Sequence, residues 1–314
     1  MKPIFKYIFL LSFIFSFIHA QTKVLYINSY HEEYTSAIVQ TNAVKDILLP
    51  KNILLKFVHM NTKQIKKDYL RKLEALKVKK VIQQWKPDLV IASDDAASKY
   101  VVKEYYRDAN IPFVFIGVNW SIKSYEYPYK NVTGQIEVEL ARELIVELIK
   151  HSNGSRVGFI SGDTTTDKKA LKHYENELGI KFHQVEFVNN FTQWQDAYLA
   201  LQNNVDVLLF RNNSGITNWE DLKAGQFIKQ VTQIPTGSVN LNMFPYVLIS
   251  FAKDNYEFGE YAAKTALRIL NGESISNLPI TRNQRSKVSL NMTLAKKLNI
   301  IFPIELIDMA ELVK

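Results

Sequence analysis

The chain has 314 residues, of which 47% are hydrophobic, 22% charged and 12% aromatic. Disorder, a collagen helix and a disulfide-framed miniprotein are excluded by that balance. It contains no cysteine, which rules out disulfides, thiolate metal sites and cysteine nucleophiles. The 39 Lys and Arg against 31 Asp and Glu give a formal charge of +8, and at roughly 100–200 residues per domain the length calls for two domains or one large one.

Lys2 and Lys6 precede an apolar run from Tyr7 to Ile18, which ends at His19-Ala20 before the polar Gln21-Thr22-Lys23. This is the charged, apolar and small-residue order of a secretory leader, and the run is shorter than the ~20 residues that span a bilayer. We expect residues 1–20 to be a signal peptide cut after Ala20, giving a periplasmic mature protein. With Lys2 and Lys6 set aside, 37 cations face 31 anions. The lysines of Lys63-Gln64-Ile65-Lys66-Lys67 and Lys77-Val78-Lys79-Lys80 recur at helical spacing and read as solvated helix faces. No nucleic-acid module accompanies them, so no nucleic-acid partner is expected.

Beyond the leader, short strand-like runs alternate with helical stretches. Val24–Ile27 reads as a strand and Ser36–Leu49 as a helix; Ile53–Met60 follows as a strand and Lys66–Trp85 as a long basic helix. Asp88–Ala92, a helix from about Ala96 to Tyr106, and the buried strand Pro112–Ile116 complete a first array. A helix over Glu137–Lys150 opens a second: strand Arg156–Ile160, helix Asp167–Leu178, strand Phe182–Val188, helix Trp194–Leu201, strand Val205–Phe210, helix Trp219–Val231 and strand Pro235–Val239. Near-continuous apolar strands separated by helices predict parallel sheets covered on both faces, and right-handed crossovers make each one doubly wound. The remainder, strand Tyr246–Phe251, helix Tyr256–Leu270 and strand Val288–Asn291, is too little for a third core and must return to the earlier two. The fold class is therefore α/β: two doubly wound parallel-sheet lobes joined by a multi-stranded hinge. We place 21–120 and 251–275 in lobe 1, and 121–250 and 276–314 in lobe 2.

Ligands of open parallel sheets bind beyond the carboxyl ends of the strands, where helix N-termini present free N–H groups. At those positions the first array carries Ser29, Tyr30 and Tyr34, then Ser93, Asp94 and Asp95, then Asn119 and Trp120; the second carries Asp163 and Thr164, then Arg211 and Asn213, then Asn240. Such a set suits a small polar molecule with an apolar part. Asp94, Asp95 or Asp163 can neutralise an ammonium, Arg211 can hold a carboxylate in its planar fork, and Tyr30, Tyr34 or Trp120 can stack on a ring. Each also has a purely structural reading: Asp94, Asp163 and Asn213 as helix caps, Trp120 as a plug in the hinge, and Arg211 as the partner of Asp163 or a helix carboxylate.

Catalysis finds no support. No G-x-G-x-x-G or G-x-x-x-x-G-K-[ST] nucleotide loop occurs, His31-Glu32-Glu33 lacks the second histidine of H-E-x-x-H, and no G-x-S-x-G elbow is present. We therefore expect no enzyme, no catalytic residue, no metal and no cofactor. Asn-X-Ser/Thr matches such as Asn131-Val132-Thr133 are what an Asn-rich chain contains by chance.

Pro87–Ile91, Ile111–Phe115, Asn131–Gly134, Phe258–Ala263, Ile269–Glu273, Ser289–Asn291, Ala295–Ile300 and Pro303 stand in an order and spacing that resembles the ABC-transporter substrate-binding proteins of the type I periplasmic fold, those of the tryptophan or tyrosine type in particular. The likeness extends over nearly the whole mature chain and implies two lobes that close on a small-molecule ligand, as a monomer, and present it to the membrane permease of an ABC importer. The same module resembles the extracytoplasmic sensing domains of histidine kinases and cyclic-dinucleotide enzymes. That likeness implies, as the alternative, a ligand sensor docking on a separate membrane sensor kinase. The chain departs from the transporter pattern at Ser29-Tyr30-His31 and at Asn119-Trp120, where many members carry an Asp.

Overall fold

The computed structural model describes residues 21–313, so the expected leader and its cut after Ala20 lie outside the described residues. The first array runs β1 (Lys23–Asn28), α1 (Thr35–Leu48), β2 (Leu54–His59), α2 (Asp68–Trp85), β3 (Leu89–Ser93), α3 (Asp94–Ala97), a π-helical turn (Ser98–Val102), α4 (Lys103–Tyr105), β4 (Phe113–Asn119) and β5 (Val132–Glu137). The second runs α5 (Ala141–Ile149), β6 (Val157–Gly162), α6 (Thr165–Asn176), β7 (Gln184–Val188), α7 (Phe191–Asn204), β8 (Val207–Asn212), α8 (Asp221–Val231), β9 (Thr236–Ser238) and β10 (Ile249–Lys253). The tail supplies α9 (Asn255–Leu270), β11 (Thr281–Arg282), β12 (Ser286–Asn291), α10 (Met292–Lys297), α11 (Ile304–Asp308) and β13 (Ala310–Val313).

Two sheets result, ordered β11-β5-β4-β3-β1-β2 and β13-β12-β10-β9-β8-β6-β7. All pairings in the first are parallel, and in the second only β12 against β10 is antiparallel. The expected fold class is thus the observed one. Every residue of β3 is buried, as a central parallel strand covered on both faces requires. Alternate residues of β1 face opposite ways: Val24 and Tyr26 meet α1 and α9 through Val44, Phe258 and Ala262, whereas Leu25 and Ile27 join the core formed by α2 and the π-turn through Val78, Ile82 and Val101. Each such side chain contributes about 1.5–3 kcal/mol of burial. Helix α9 lies on α1 closely enough that a Cβ on Gly259 would sit 2.1 Å from the Gln40 carbonyl oxygen.

The sheets move the expected boundary at 120. β5 hydrogen-bonds β4 through Phe113–Val132 and onward, so the chain stays in the first sheet until Glu137. The expected helix over Glu137–Lys150 begins only at Ala141 for the same reason. β10 joins the second sheet, and the tail returns to the first as α9 and β11, so 251–253 and 281–282 lie opposite to the expected assignment. The chain therefore crosses three times: after β5, between β10 and α9, and between β11 and β12. These crossings bond one another: Val138 N donates to Asn283 Oδ1 at 2.7 Å, Arg285 N to Glu257 Oε2 at 2.7 Å, and Arg285 pairs with Asp254 at 3.3 Å. No helix among the described residues is long and apolar enough to cross a membrane.

Candidate functional site

Both lobes repeat one strand order: β2-β1-β3-β4-β5 in the first and β7-β6-β8-β9-β10 in the second. In this order, the crevice forms where successive crossovers depart to opposite sides, beyond the first and third strands. Tyr30 and Asp94 flank that point in lobe 1, and Asp163 and Arg211 flank or adjoin it in lobe 2.

At the first switch point the chain turns sharply. Asp94 has φ of 69°, in the left-handed region that Asp tolerates better than most residues, and is only 5% exposed. Ser93 Oγ donates to Asp94 Oδ2 at 2.8 Å and is also 2.9 Å from Gln40 Oε1. Burial, then the charge of Glu137, push the Asp94 carboxyl up to about 7 against hydrogen bonds from Ser93 and Tyr30, and Asp95 pushes in the same direction. The Tyr30 phenol is held far above its ordinary value by burial and by Asp94, Asp95 and Glu137. The Tyr30 ring is 4.6 Å from that of Tyr34, and Lys63 Nζ stands 4.8 Å from the Tyr30 centroid.

The other lobe 1 residues hold the frame. Ser29 is fully buried, and its Oγ donates to the Ser93 carbonyl at 2.5 Å and accepts from Ala97 N at 2.9 Å. Asp95 accepts from Asn119 Nδ2 at 2.7 Å and from the Tyr125 hydroxyl at 2.6 Å, so Asp95 and Asn119 satisfy each other. Trp120, with φ of 59°, leaves the first sheet and lays its indole parallel to the His173 imidazole of α6, ring centroids 4.7 Å apart.

In lobe 2, Arg211 is 6% exposed and its guanidinium is surrounded by protein. Nη2 donates to Glu139 Oε1 at 2.9 Å, Nε reaches the Tyr174 hydroxyl at 3.2 Å, and Nη1 pairs with Asp167. Burial opposes its charge, but Glu139, Tyr174 and Asp167 outweigh burial and raise its pKa. Of the two expected partners the helix carboxylate is the one found, Asp167 of α6, while Asp163 is bonded to Lys168 at 2.5 Å. Neither Asp163 nor Asn213 is a helix cap: Thr164 caps α6 by accepting from Asp167 N at 3.1 Å, and Glu220 occupies the N-cap position of α8. Asn213 is part-buried in the loop after β8, where its carbonyl accepts from Ile216 N at 3.1 Å. Asn240 Nδ2 donates to the Arg211 carbonyl at 2.7 Å, which orders the end of β9 against β8.

Three charged residues that the strand-end reading missed complete the geometry. Glu137 ends β5 and Lys253 ends β10, and the two form an ion pair across two of the crossings. Burial opposes the Lys253 charge, yet Glu137, with smaller contributions from Glu139 and Asp94, holds its pKa above the ordinary value. A chain of charges therefore runs from Asp94 through Glu137, Lys253 and Glu139 to Arg211. Gln135-Ile136-Glu137-Val138-Glu139 alternates polar and apolar residues, but the run straddles the end of β5 and does not by itself mark a strand.

A profile of the family described as ABC transporter substrate binding protein matches residues 41–314. The chain belongs to that family, one of solute-binding proteins rather than enzymes. No curated protein sequence matches it significantly. Among solved structures it is similar to the ligand-free, open substrate-binding protein with adhesive properties from Clostridium difficile, at 16% identity and a TM-score of 0.65 over 93% of this chain and 99% of that one. It is also similar to an ABC domain from Streptococcus pneumonia in complex with L-Trp, at 14% identity and 0.53 over 94% and 100%. A third is the 5-methylthioribose transporter solute binding protein from Thermotoga lettingae, at 12% and 0.51 over 91% of each chain. At these identities the likeness is one of fold, the type I periplasmic binding fold.

Proposed function

We propose that the protein is an extracytoplasmic receptor for a small zwitterion with an apolar side group, an amino acid of aromatic type, which it holds between its lobes and presents to the membrane permease of an ABC importer. The single observation that supports this most is Asp94: a carboxylate kept in a left-handed turn, buried at a switch point and surrounded by further negative charge from Glu137 and Asp95. Strain of this kind persists where the surroundings enforce it, and it clusters at ligand clamps. An ammonium group supplies Asp94 with a cation of its own, Lys253 being paired with Glu137. Tyr30 and Tyr34 offer ring faces beside it, and the L-Trp complex of the streptococcal protein accords with that ligand class.

Arg211 serves this site by positioning. With its fork committed to Glu139 and Asp167, it fixes the lobe 2 rim to a crossing segment; Thr164 caps α6 and Asn240 holds the Arg211 carbonyl, which leaves Asn213 to meet the ligand's carboxylate from that side. Closure follows from contacts to both rims, which lower the free energy of the closed state relative to the open one. A thermal-shift panel of amino acids, purines, sugars and oxyanions tests the assignment, because a ligand of the native state raises its apparent stability. A shift produced by one or more amino acids supports the reading; a panel in which only sugars or oxyanions act refutes it.

A further inference from the structure

Helix α2 carries an apolar face with nothing on it. Tyr69, Leu70, Leu73 and Leu76 are 58%, 36%, 49% and 46% exposed, while Ala75, Val78 and Ile82 on the opposite side enter the lobe 1 core. Tyr69, Leu73, Leu76 and Lys80 recur at alternating spacings of four, three and four, the period of a coiled-coil seam. The positions flanking the seam are basic: Lys72 and Lys79 on one side, and Lys77 on the other. Asp68 and Glu74, the two acids of this helix, are already paired with Lys72 at 3.1 Å and Lys77 at 2.7 Å.

Charge and width select what covers such a face. A second copy would set Lys72, Lys77 and Lys79 against the same lysines in either helix orientation, and like charges beside a seam oppose pairing. A membrane-lying helix needs a broad apolar arc, commonly more than about 100° wide. The exposed apolar residues from Leu76 through Tyr69 and Leu73 to Leu70 span about 120° at ~100° per residue, but Lys77 and Lys80 lie inside that arc and leave only the Tyr69-Leu73-Leu76 line continuous. We propose that α2 is a docking helix for an amphipathic helix of a partner protein, apolar along its seam and flanked by Glu or Asp. This surface includes none of the switch-point residues, and the inference stands whether or not the zwitterion assignment holds.

The test uses the full mature protein and a labelled three-heptad peptide with Leu along its seam and Glu on both flanks, followed by fluorescence anisotropy. The Glu-flanked peptide is expected to bind saturably, to weaken as salt rises, and to lose at least roughly tenfold in affinity against Leu73→Ser/Leu76→Ser. The same peptide with Lys flanks is expected not to bind. Because Leu73 and Leu76 are exposed, the double variant should melt at the wild-type temperature or above, which separates lost docking from lost folding. No binding of the Glu-flanked peptide, equal binding of the Lys-flanked one, or indifference to the double variant would overturn the proposal. So would self-association in sedimentation, or binding to vesicles containing phosphatidylglycerol, that disappears in the double variant, since either assigns the seam to a different occupant.

Discussion

The indole of Trp120, at the end of the fourth strand of lobe 1, lies 4.7 Å from the His173 imidazole of lobe 2, the ring planes 3° apart. Tyr174 meets the same indole edge-on at 5.8 Å. One side chain thus ties the first sheet to the helix that carries the Arg211 partners Asp167 and Tyr174. Trp120→Ala removes a part-buried ring with two aromatic neighbours, and we expect a loss of about 1–3 kcal/mol in urea unfolding. His173→Ala, which keeps the indole, should cost about 1 kcal/mol or less.

Arg211→Ala leaves Glu139 and Asp167 buried without their cation, a change that costs about 3–5 kcal/mol where such pairs are broken. The melting temperature should therefore drop whatever the ligand is. Arg211→Lys retains charge but loses the planar fork, and should lie between the two. A variant Arg211→Ala with wild-type stability would show that the guanidinium is free for ligand in solution.

Asp94 makes a pH prediction of definite sign. Its folded pKa, about 7, stands above the ordinary carboxylate value, so the folded state holds a proton over a range in which the unfolded chain has lost it. Stability is then fully present below about pH 4, falls as pH rises to about 7, and is level above that. Asp94→Asn keeps a residue that accepts the left-handed turn and removes the titration. We expect the variant to be more stable than wild type at pH 8, by an amount on the order of 4 kcal/mol, and the gap to close near pH 4. Chemical denaturation at both pH values measures it.

At Gly259 the helices α1 and α9 touch, and a Cβ would come within 2.1 Å of the Gln40 carbonyl oxygen. Backbone cannot yield as a side-chain tip can, so Gly259→Ala should cost about 1–3 kcal/mol or more through overpacking, read as a lower urea midpoint. An unchanged midpoint would mean that α9 is free to lift from α1.

Both arrays were legible in the sequence because their central strands carry unbroken apolar runs, as at Leu89–Ala92 and Val207–Phe210. β5 was not legible. Gly134 and three polar residues break its pattern, and its burial depends on α9, which arrives more than a hundred residues later. β11 and β13, with two and four residues, take their structure from neighbouring strands. The strand-end rule located Asp94, Tyr30 and Trp120 at the rims, but it could not separate residues that face the crevice from those that brace it. Ser29, Asp95 and Arg211 are the right chemical types with their polar atoms already engaged. Glu137, Glu139 and Lys253 escaped because they lie at the crossings, which only the tertiary path defines.

Asp94 as the anchor for a cationic group is tested most directly by calorimetric titration at pH 8, with wild type and Asp94→Asn each receiving the amino acid found by thermal shift. Loss of one partner from a buried charge pair costs about 2–5 kcal/mol, so the variant should bind roughly thirtyfold or more weakly while remaining folded. Equal affinity for the two proteins would contradict it.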